Sequence, residues 1–64
     1  MIEVIPDYLM VPEMAGETIQ FIKGLSVPPR LKKETLIAWT KAVDVPLTRE
    51  MVIQLLGDDL DRVL

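Results

Sequence analysis

The chain has 64 residues, half of them hydrophobic, with three glycines, no cysteine, no histidine and a net charge of −3. That length holds one domain, residues 1–64; with no cysteine, disulfides are excluded, and without histidine as well a zinc site is disfavoured. Seven basic residues against ten acidic ones disfavour binding driven by nucleic-acid phosphates.

A domain this small hides only about 60% of its extended-chain surface. Ordering it costs on the order of 100 kcal/mol, at about 1.5 kcal/mol per residue. Small folds usually make up the difference with disulfides, a metal or a second copy. Only the last fits this composition, so a homo-oligomer is expected, most simply a two-fold dimer. The alternative is a tightly packed monomer.

The first residues are Ile2, Glu3, Val4 and Ile5, closed by Pro6. The run is apolar and β-branched, which suits an extended arm or an edge strand. It lacks the basic start and long apolar stretch of a signal peptide. Residues 1–12 are therefore expected as an arm that packs on the helices, pairs with the same segment of another chain, or stays a loosely held tail. Within it, Asp7 is placed to cap a single turn through Val11. No stretch approaches the roughly 18 apolar residues of a membrane span. The absence of cysteine fits the cytoplasm.

The first helix is predicted near residues 13–24. Pro12 opens it and Glu13 suits its positive end. Met14, Thr18, Phe21, Ile22 and Leu25 then recur at steps of three and four, the helical period. Gly16 weakens the start by about 1 kcal/mol relative to alanine, which allows a beginning as late as Glu17. Gly24 reads as a left-handed stop, with Leu25 folding back on the last turns.

The central helix is predicted at 29–44. It carries the single tryptophan, Trp39, and four of the seven basic residues. Pro28 forces extended geometry behind it, Pro29 suits its first turn, and Pro46 ends the run. At about 100° per residue, Leu31, Thr35, Leu36, Ala38, Trp39, Ala42 and Val43 fall within an arc of roughly 160°. Trp39 and the Leu31/Ala38/Ala42 stripe are expected to be buried. Arg30, Lys33, Glu34, Thr40, Lys41 and Asp44 take the other side. Lys32 enters the apolar arc, where its stem can lie on the core while its amine reaches water. Ile37 breaks the pattern, lying among Lys33, Lys41 and Asp44. It is either a stray surface residue or a contact to a partner chain.

The third helix is predicted at 49–56. Thr48 is its N-cap, Glu50 sits in its first turn, and Leu47 and Val52 stand at staple positions. Gly57 stops it. A short terminal turn then carries Leu60, Val63 and Leu64. The chain as a whole reads as all-α: a small three-helix domain with an extended N-terminal arm and a short C-terminal helical turn.

Without histidine or cysteine, a nucleophile and base would have to come from Ser26, Tyr8, threonines, lysines or carboxylates, and none forms a recognisable constellation. The chain is not expected to be an enzyme and no cofactor is expected. Asp58, Asp59 and Asp61 lack calcium-loop spacing and are better explained by capping and solubility. Methionines 10, 14 and 51 suit either core filling or an adaptable surface. The expected function is a small non-catalytic protein–protein interaction module, homodimeric, serving as a regulatory, adaptor or assembly subunit. Its expected interface comprises Ile2, Val4, Ile5, Met10, Met14 and Ile37, and Arg30, Lys33 and Lys41 form a basic face that could dock an acidic partner. The alternative is a helix-turn-helix DNA-binding regulator or antitoxin-like protein, in which Arg49 and Gln54 reach the major groove. Glu50 and the following aspartates oppose that reading.

Overall fold

The computed structural model describes residues 4–59. Among them are three α-helices and no strand: α1 spans Ala15–Lys23, α2 Pro29–Ala42 and α3 Arg49–Leu56. Single 3-10 turns cover Asp7–Leu9, Pro12–Met14 and Gly57–Asp59. Each helix touches the other two. Ile5, Leu9, Ile19, Ile22, Leu36, Trp39, Leu55 and Leu56 form one buried core.

The helix starts follow from their local chemistry. Pro28 is extended (φ −60°, ψ 152°) and Pro29 occupies the first turn of α2. That position needs no amide partner. At α3, the Thr48 hydroxyl accepts from the Met51 amide at 3.2 Å. The turn Pro12–Met14 runs straight into α1, its Met14 amide donating to the Val11 carbonyl at 3.1 Å. Gly16 lies inside α1 rather than before it.

The helix ends depart from expectation in two places. Gly24 is right-handed (φ −81°, ψ −4°), not the left-handed stop predicted. Its amide still reaches the carbonyls of Gln20 and Phe21, so α1 tapers through ordinary tight-turn bonds. The left-handed residue belongs to α2: Asp44 has φ 59°. The amide of Val45 donates to the Thr40 carbonyl at 2.9 Å. That six-residue closure is a Schellman ending, and it stops α2 at Ala42, with Val43 as its cap, two residues before the predicted end. Gly57 stops α3 at φ 53°, as its position implies. Leu60, Val63 and Leu64 lie outside the described residues.

The buried face of α2 is also turned. Thr35, Leu36, Trp39 and Thr40 are buried, Leu31 and Ala38 only half-buried, and Ala42 exposed. The face is rotated by roughly 50° towards Leu36 relative to the apolar arc. Two threonines permit this. Thr35 donates to the Leu31 carbonyl and Thr40 to the Ile37 carbonyl, each at 2.7 Å. With its hydroxyl satisfied on its own helix, a threonine can be buried much as a valine would be. The Lys32 amine reaches solvent and also finds a partner: its Nζ donates to the Lys23 carbonyl at 2.7 Å in an exposed bond. A cation there satisfies a terminal carbonyl of α1 and suits the negative end of that helix.

The largest correction concerns the arm. Residues 5–9 are not extended from the body but seated on it. Ile5 and Leu9 belong to the core, 5% and 2% exposed. Asp7 begins the 3-10 turn without capping it; the cap position is Pro6, which has no side-chain bond to offer. The turn is closed by the Leu9 amide on the Pro6 carbonyl and the Met10 amide on the Asp7 carbonyl, both at 3.0 Å. A segment with two large apolar side chains one turn apart buries more surface by docking than by extending.

Candidate interaction surface

The seat of the N-terminal segment is polar at its centre. The Leu9 carbonyl accepts from Trp39 Nε1 at 2.7 Å and from Thr18 Oγ1 at 3.2 Å. Trp39 and Thr18 are both fully buried. An indole N–H or a hydroxyl buried without a partner costs on the order of 1–3 kcal/mol. One carbonyl removes both penalties and takes up both of its lone pairs. Thr18 comes from α1 and Trp39 from α2, so the segment joins two helices at one atom.

Seating the inner side leaves an outer side. Val4, Tyr8 and Val11 are 46%, 68% and 40% exposed. They alternate along the chain with the buried Ile5 and Leu9. The segment is thus apolar on both sides, with Asp7 as the exposed charge within it. Elsewhere on the described surface, Leu47 and Ile53 are the other large exposed apolar side chains. Ile53 stands on the outer face of α3 with Arg49, Glu50 and Gln54, all exposed.

The residues expected at an interface separate into distinct environments. Val4 is exposed, as a surface role requires. Ile5 is in the core and unavailable to a partner while the segment stays seated. Met10 and Met14 are half-buried and packed against the core. They act as filling at the edge of the core, which suits their flexible side chains. Ile37 is half-buried rather than fully presented. Lys33 and Lys41 flank it one turn away on either side, with stems long enough to shade it. Ile2 lies outside the described residues.

The basic face follows helical spacing. Arg30, Lys33 and Lys41 fall with Ile37 within about 80° of α2's circumference. Arg30 and Lys41 are exposed and Lys33 is half-buried. Exposed Glu34 adjoins this stripe, so it carries mixed charge. Among the described residues, no group of three acidic side chains could hold a metal ion, and no helix is long and apolar enough to cross a membrane.

Tyr8 and Val11 were not singled out by sequence reasoning, because residues 8–11 read as one generic turn. Ile5 and Leu9 stand four residues apart with Val4, Tyr8 and Val11 interleaved around them, but no single period runs through the extended Pro6 and Val11 from which the exposure of those three could be read. Scanning of protein-family models and searches of curated proteins and of solved structures find no match for this chain.

Proposed function

We propose that this chain is a small non-catalytic interaction module that pairs with a second copy of itself, and that it serves as a regulatory, adaptor or assembly subunit. The observation that supports this most directly is the outward row of Val4, Tyr8 and Val11. These side chains project from a segment whose opposite side already completes the core. A lone exposed apolar residue needs no explanation; that three fall within residues 4–11 is what supports assigning the contact surface to this segment. Tyrosine suits such a surface, because it offers a large rigid area with a polar tip.

Light scattering at micromolar concentration tests the reading. The intact chain is expected to show the mass of two copies. Replacing Tyr8→Lys and Val11→Lys together should return it to one copy, while the folded state shifts by less than about 0.5 kcal/mol per site, as for ordinary surface changes. A one-copy mass for the unaltered chain under these conditions counts decisively against pairing.

A further inference from the structure

We draw no further inference here: the strongest candidate, the basic surface patch of Lys23, Arg30, Lys32 and Lys33 where the end of α1 meets the first turns of α2, rests on surface cations beside one helix N-terminus, and nothing in the structure shows what covers it.

Discussion

At the joint between the N-terminal segment and the helices, two buried donors converge on one carbonyl, from 9 and 30 residues away. At the joint between α2 and α3, the bonds are local: Val45 amide to Thr40 carbonyl, and Met51 amide to the Thr48 hydroxyl. The second joint turns the chain by means that act within a few residues, and its Thr48 bond is exposed, so water can replace what is lost. The first depends on three elements already standing in place, and its groups lie where water cannot substitute. The lesson is that a local joint directs the chain, whereas a long-range joint makes the folded state cooperative. Removing part of the first should therefore cost far more than removing part of the second.

The largest effect is expected from Leu9→Ala, which empties a site only 2% exposed. It should lower unfolding stability by about 3 kcal/mol, read from urea melts; a loss below about 1 kcal/mol would mean the segment contributes little. Next comes the pair Thr18→Val and Trp39→Phe. Either change leaves the Leu9 carbonyl one donor, but both together orphan it. The double variant should exceed the sum of the single losses by about 1–2 kcal/mol. Strict additivity would break the picture of a shared acceptor. At the local joint, Thr48→Ala should cost about 1 kcal/mol in the same melts. The smallest effect is a gain. Asp44→Gly relieves a left-handed residue with φ 59° and a negative charge at the C-terminal end of α2. It should raise stability by about 0.5 kcal/mol, and a loss would show that the Asp44 side chain has a role of its own.

The same contrast explains which features could be read from the residues alone. Pro29, Thr48 and Gly57 act on their neighbours, so the start of α2 and both limits of α3 were legible. The rotation of α2 was not, because Thr35 and Thr40 count as polar in any pattern. Only their bonds to the Leu31 and Ile37 carbonyls make them equivalent to apolar residues. The Asp44 ending was missed for a related reason: glycine is the usual signal for a left-handed cap, and here an aspartate adopts it. Least legible was the seat itself. Its central atom is a backbone oxygen, which no residue letter distinguishes, and its donors are remote in the chain. Ile5 was visible as apolar, but an apolar residue near a proline suits a free arm as well as a docked one.

The bond from Lys32 to the Lys23 carbonyl has a consequence for how the chain could change. It bridges the base of the connection from α1 to α2, beside the core packing that already holds the two helices together. Lengthening a closed connection costs little, since the entropy of closure grows only logarithmically with its size. Ser26 is exposed near the middle of that connection, which makes it the position where inserted residues, or a grafted recognition loop, would disturb the helix packing least.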